Sequence, residues 1–101
     1  MAERDSAIAV YIMANARNGT LYIGVTSGLE QRVSQHKQGA FDGFSKHYGC
    51  TRLVWFVPFG EMDAAIRREK ALKHWVRDWK LKLIETANPD WRDLSEDWWA
   101  E

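Results

Sequence analysis

Four residues stand out for what their side chains can do together: Tyr11 and Tyr22, on either side of a turn-bearing stretch, then Arg32 and His36, four positions apart in a segment with helical spacing. Two phenols, a guanidinium and an imidazole match the needs of phosphodiester hydrolysis. That reaction requires one group to orient or deprotonate water and a cation to stabilise negative charge on the phosphate. A phenol made more acidic by nearby cations or a metal suits the first task, and the planar fork of Arg32 suits the second. His36 would donate to the phosphate or assist proton transfer. Each residue also has an ordinary reading, a core aromatic with one hydrogen bond for each tyrosine and a helix-surface imidazole for His36. The set carries weight only if it converges on one phosphate-sized site.

Convergence depends on the elements that carry these residues. Residues 7–15 alternate Ile8, Val10 and Ile12 on one face with Ala9, Tyr11 and Met13 on the other, the period of a strand. Asn18-Gly19 tolerates positive φ and turns the chain back. A loop over residues 16–19 sets Met13 opposite Tyr22 and Tyr11 opposite Gly24, so both tyrosines share a face. Leu21, Ile23 and Val25 then join Ile8, Val10 and Ile12 on the core face. Ser27-Gly28-Leu29-Glu30 reads as a capping box with Ser27 at the N-cap, opening a helix from Gly28 to Lys37. Arg32 and His36 border its Leu29/Val33 stripe. Residues 39–49, rich in glycine and aromatics and carrying Lys46 and His47, are expected to form an ordered loop or short turn. Residues 51–59 follow as a third strand.

From Glu61 the spacing is helical, with Met62, Ile66, Leu72 and Val76 on one stripe and Trp79, Leu83 and Ile84 continuing it. Glu69 falls within that stripe, ~60° from Ile66. A carboxylate there needs a partner, either an ion pair with Arg32 or a neighbouring lysine, or a cation. One carboxylate is enough for Mg²⁺ or Mn²⁺ that keeps its waters and takes a phosphate oxygen as ligand. The helix is expected to break around Lys73-His74-Trp75 and to end before Asn88-Pro89. Trp91 and Leu94 are expected to pack back onto the body.

A chain of 101 residues with 46% hydrophobic and 28% charged residues fits one soluble globular domain. Residues 1–94 are read as that domain and 95–101 as an acidic, tryptophan-containing tail. The longest apolar run is too short to cross a bilayer and the first residues do not form a secretory leader, so a cytoplasmic location without membrane contact is expected. The lone Cys50 has no disulfide partner. Charge is segregated, +5 over residues 1–82 and −5 over residues 83–101, and a basic body suits phosphate binding. Trp75 and Trp79 lie within the basic run from Arg67 to Lys82, where they could stack on unpaired bases, though core packing explains them better.

Val10-Tyr11-Ile12, Leu21-Tyr22-Ile23-Gly24-Val25-Thr26, Leu29-Glu30-Gln31-Arg32-Val33, His36, Arg68-Glu69-Lys70 and Asn88-Pro89-Asp90-Trp91 together resemble the GIY-YIG nuclease superfamily, in its small single-domain bacterial form. The likeness runs from about residue 7 to 94. It implies an α/β (α+β) fold, a three-stranded antiparallel sheet flanked by helices, and a DNA endonuclease selecting for nucleic-acid structure, with RNA not excluded. It further implies that Tyr11 and Tyr22 surround the attacking water, that Arg32 and His36 contact the scissile phosphate, that Glu69 holds one Mg²⁺ or Mn²⁺, and that Asn88 helps at the site's edge. Lys46 is a candidate substrate contact. Ala9 replaces the glycine that opens the family name, and Val25 stands where some relatives carry lysine. A recruiting protein is compatible with so small a domain, and a monomer is favoured. Two other functions fit the sequence: a nucleic-acid-binding module that cuts nothing, and an adaptor acting through the acidic aromatic tail. As an enzyme, its Tyr11, Tyr22, Arg32 and Glu69 groups should open onto one solvent-reachable pocket.

Overall fold

The structure, a computed structural model, describes residues 7–40 and 43–99. Strands β1 (Ala9–Ala14) and β2 (Leu21–Thr26) form the expected hairpin, with Tyr11 opposite Gly24 and Met13 opposite Tyr22. Asn18 takes the positive φ of 58° that the turn requires. Arg77 ties the turn down, donating from Nη2 to the carbonyls of Asn18 (2.8 Å) and Gly19 (2.6 Å). Strand β3 (Arg52–Pro58) pairs antiparallel with the other side of β1, giving the order β2-β1-β3 and leaving every residue of β1 buried.

Helix α1 (Leu29–Lys37) begins one residue later than the capping box implies. Gly28, not Ser27, is the N-cap, because the Thr26 hydroxyl accepts the Gly28 N–H at 3.0 Å and turns the chain first. Residues 43–48, expected as loop, form helix α2 (Gly43–Tyr48). Gly39 (φ 68°) and Gly49 (φ 66°) lie outside that helix, so the glycines punctuate it and do not dissolve it.

Helices α3 (Met62–His74) and α4 (Arg77–Ala87) meet at the expected break, Trp75 and Val76 being extended between them. They cover the sheet face made by Val10, Ile12, Ala14, Ile23 and Val54, burying Ala65, Leu72 and Ile84 against it together with Trp91. On the opposite face α1 presses Leu29 and Val33 onto Ala9, Tyr11, Met13 and Leu53. The expected α3 stripe is partly displaced: Ala65, Glu69 and Leu72 are buried, whereas Val76 caps α4 and is 57% exposed. Trp79 is 59% exposed, which overturns its reading as a core residue.

The chain after α4 closes the outer edge of β3, a position that would otherwise template further strands. Leu94 N–H donates to the Leu53 carbonyl (2.8 Å), and Leu53 N–H donates to Asp93 Oδ1 (3.3 Å). Lys37 pairs with the same carboxylate, and Ser95 donates to it through both backbone N–H and hydroxyl. Burial alone would raise the Asp93 pKa, but the hydrogen bonds from Lys37 and Ser95, with the Lys37 charge, hold it below the usual carboxylate value. Ser95 is buried, and Trp98 meets Phe56 edge-on at 5.8 Å. Burial pushes the Cys50 thiol up. Among the described residues no helix is long and apolar enough to cross a membrane.

Candidate active site

Tyr11 leans across the hairpin onto the strand partner that the register dictates, Gly24. A Cβ at Gly24 would lie 2.5 Å from the Tyr11 oxygen, so only glycine lets the phenol rest there. The ring is fully buried. Its hydroxyl lies 2.9 Å from His36 Nε2, and His36 Nδ1 lies 2.7 Å from the Ser45 hydroxyl. Ser45 in turn donates to the Cys50 carbonyl at 3.4 Å. A serine whose proton points to a carbonyl accepts from Nδ1–H, and that assignment leaves the Nε2 lone pair for the Tyr11 hydroxyl. With that assignment His36 is the acceptor of the Tyr11 proton. Ser45 was not legible in the sequence; it reaches His36 only because residues 43–48 coil into a helix.

Tyr22 stands in front of this pair. Its ring centroid lies 4.9 Å from that of His36, 6.3 Å from Tyr11 and 6.4 Å from Phe44. With Phe44, Lys73 and Lys80 it lines a hollow of about 210 Å³. Because β2 is an edge strand, this hollow sits where the α1 and α3 faces of the sheet meet. The expected single pocket is therefore divided. Tyr22 borders the hollow, while Tyr11 and His36 are buried and Arg32 and Glu69 are not among the lining residues. Arg32 is half-buried on α1, one turn before His36.

Glu69 is 8% exposed, and its Oε2 lies 2.6 Å from Lys73 Nζ. Lys73 is both the neighbouring-lysine partner anticipated for this carboxylate and a wall of the hollow, with its side chain 54% exposed. The Lys73 ammonium sits where a cation bound to that carboxylate would have to lie. Among the described residues no three His, Cys, Asp or Glu side chains gather into a metal cage. The donor set fits a hard divalent cation held by one carboxylate and otherwise by water and phosphate oxygens. Lys46 is exposed on α2. Asn88, the C-cap of α4, spends its amide on backbone: Nδ2 donates to the carbonyls of Val54 (3.1 Å) and Arg92 (2.9 Å), and Oδ1 accepts from Arg92 N–H (3.1 Å). These bonds join α4 to β3 on the far side of the sheet from β2.

A family model described as the GIY-YIG catalytic domain matches residues 7–82. The chain belongs to the GIY-YIG family. The matched span takes in both tyrosines, Arg32, His36, Ser45 and Glu69 and stops short of Asn88. Among its relatives is the UPF0213 protein of Clostridium perfringens, 34% identical over 79 residues, which are 78% of this chain and 84% of that protein. The UPF0213 protein of Staphylococcus haemolyticus is 34% identical over 76 residues, 75% of this chain and 92% of the relative. The match to the UPF0213 protein of Aeromonas salmonicida, 32% identical over 91 residues, takes in 89% of this chain and 65% of that longer relative. The solution structure of a UPF0213 protein from Bacillus halodurans shares the fold at a TM-score of 0.55 and 24% identity, covering 94% of this chain and 99% of that one. This GIY-YIG domain thus has the α+β architecture of a nuclease family, a three-stranded antiparallel sheet flanked by four helices among its described residues.

Proposed function

We propose that this chain is a metal-dependent endonuclease that hydrolyses DNA phosphodiester bonds and selects branched, nicked or single-stranded structures. The observation that carries the reading is the buried Tyr11–His36–Ser45 chain of hydrogen bonds set directly behind Tyr22 and the cationic hollow. Water attacks phosphorus in line, a new P–O bond forms and the bond to the 3′ oxygen breaks, leaving a 5′-phosphate. Tyr11 takes a proton from the water as it passes its own to His36 Nε2, and solvent protonates the departing oxygen. Tyr22 orients the water, and Arg32 takes up charge on the phosphate. Lys46 meets the flanking backbone from α2, and Asn88, on the far edge of the sheet, acts only by fastening α4 to β3. A divalent cation, Mg²⁺ or Mn²⁺, would be held by Glu69 and would supply electrostatic stabilisation of the phosphate oxygens.

Lys73 must leave the Glu69 carboxylate before a cation can take its place, and Tyr11 and His36 are closed to solvent. Those two features favour a second reading, a nucleic-acid-binding module without hydrolysis. Glu69→Gln separates the two. In the enzyme it abolishes cleavage in Mg²⁺ or Mn²⁺ while binding persists; a protein that binds equally well and cuts nothing before or after the change is the module.

A further inference from the structure

The sequence pattern assigns Trp79 to the core, yet the fold turns it outward, and no role in the site accounts for it. It stands at the mouth of a groove of about 390 Å³ between α4, the α3–α4 break and β3, lined by Trp55, Trp75, Trp79, Lys82 and Leu83. That volume lies in the range of sites that hold small ligands. The lining is aromatic and the fringe cationic. Trp75 and Trp79 meet nearly perpendicular, at 85° with centroids 5.9 Å apart, so they form two walls of a corner. The Arg68 guanidinium lies 5.1 Å from the centre of Trp75, and Lys82 lines the groove itself. An apolar slot fringed by cations is complementary to a ligand that is flat and aromatic in one part and anionic in another. A nucleotide whose base is unpaired has that chemistry. A base within a duplex hides its faces in the stack.

The groove and the hollow beside Tyr22 flank the same helix, α4, which lends Trp79 and Lys82 to the one and Lys80 to the other. Lys80, next to Trp79 in the chain, lines that hollow and reaches the Lys73 carbonyl at 3.5 Å across the helix break. One helix width, about 10 Å, therefore separates the two, a distance a strand covers in a few nucleotides. We infer that the Trp75–Trp79 groove is a stacking subsite for an unpaired base a few nucleotides from the phosphate held at Tyr22, with Lys80 and Lys82 on the intervening backbone. The inference rests on the nuclease reading for the identity of that phosphate and adds the reason single-stranded character would be selected.

The test uses the full chain carrying Glu69→Gln in metal-free buffer, so that binding is read without cleavage. The probes are fluorescent oligothymidylate, the same strand with abasic sites, and a duplex. The subsite predicts that oligothymidylate binds more tightly than the abasic strand, that Trp79→Ala weakens the former about 5- to 150-fold, the range set by stacking one base, and that Trp79→Phe restores most of it. Equal binding of the two single strands, or no change on Trp79→Ala, overturns the subsite. Sedimentation showing that Trp79→Ala breaks a self-associated form while oligonucleotide binding is unchanged would make the groove a contact between copies and would also overturn it. Cleavage by the wild-type chain is scored separately. Cleavage with no effect of Trp79 removes this inference alone, and base-dependent binding without cleavage removes the nuclease reading alone.

Discussion

At the scale of single residues the proposed chemistry turns on one proton. Tyr11→Phe removes the group proposed to relay it and should lower kcat about 10²- to 10⁴-fold, the usual weight of positioned acid–base chemistry, with KM little changed. Ser45→Ala tests positioning more sharply. Without the hydroxyl the Nδ1 proton loses its acceptor, and kcat should fall about tenfold or more. Nitrogen NMR of His36 should show the Nδ1–H tautomer in the wild-type chain and a mixture in the variant; unchanged spectra would reduce Ser45 to packing. Tyr11, Tyr22 and His36 were legible because a period of two on the strands and an i, i+4 step on the helix fix where their side chains go. Ser45 was not, since the contact comes from the fold of residues 39–50 and not from any local spacing.

The hairpin is the element that makes the site, and Gly24 is where its register becomes chemistry. Gly24→Ala drives a methyl against a phenol that is fully buried, with its oxygen 2.5 Å from the new carbon. Overpacking of this kind costs about 1–3 kcal/mol. Chemical denaturation should show that loss, and cleavage should drop by more than the remaining folded fraction explains, because the clash displaces Tyr11 itself. The hairpin pairing and the break before Trp75 follow from local signals, a positive-φ turn and an interrupted helical period. Helix α2 and the N-cap at Gly28 did not, for tertiary packing and the Thr26 hydroxyl overrode the glycine and serine cues. Trp79 misled for a related reason: the break at Trp75 resets the helical phase, so of the residues expected to continue the α3 stripe Ile84 points inward on α4 and Trp79 does not.

Across the whole molecule, residues 91–99 finish the sheet by covering the edge of β3. Ending the chain at Asp90 deletes the fully buried Trp91 and frees the Leu53 backbone groups. A loss of about 3–5 kcal/mol from the tryptophan alone is expected, together with concentration-dependent association through the bared edge. The Asp93 carboxyl is held below its unfolded value of about 3.9, so its contribution to stability is complete above about pH 4 and is lost as the pH falls through the lower folded value. Denaturation of Asp93→Asn should accordingly lie below wild type at neutral pH and converge with it in acid. Single-turnover cleavage decides whether this fold hydrolyses phosphodiesters through Tyr11 and Glu69. The purified chain, Tyr11→Phe and Glu69→Gln are each given hairpin, flap, four-way junction, duplex and single-stranded DNA, with Mg²⁺, with Mn²⁺ and with chelator. Metal-dependent cuts ending in 5′-phosphate are expected from the wild-type chain alone, strongest where strands are unpaired. Cleavage that survives in both variants, or none by the wild-type chain on any substrate, would contradict the proposed chemistry.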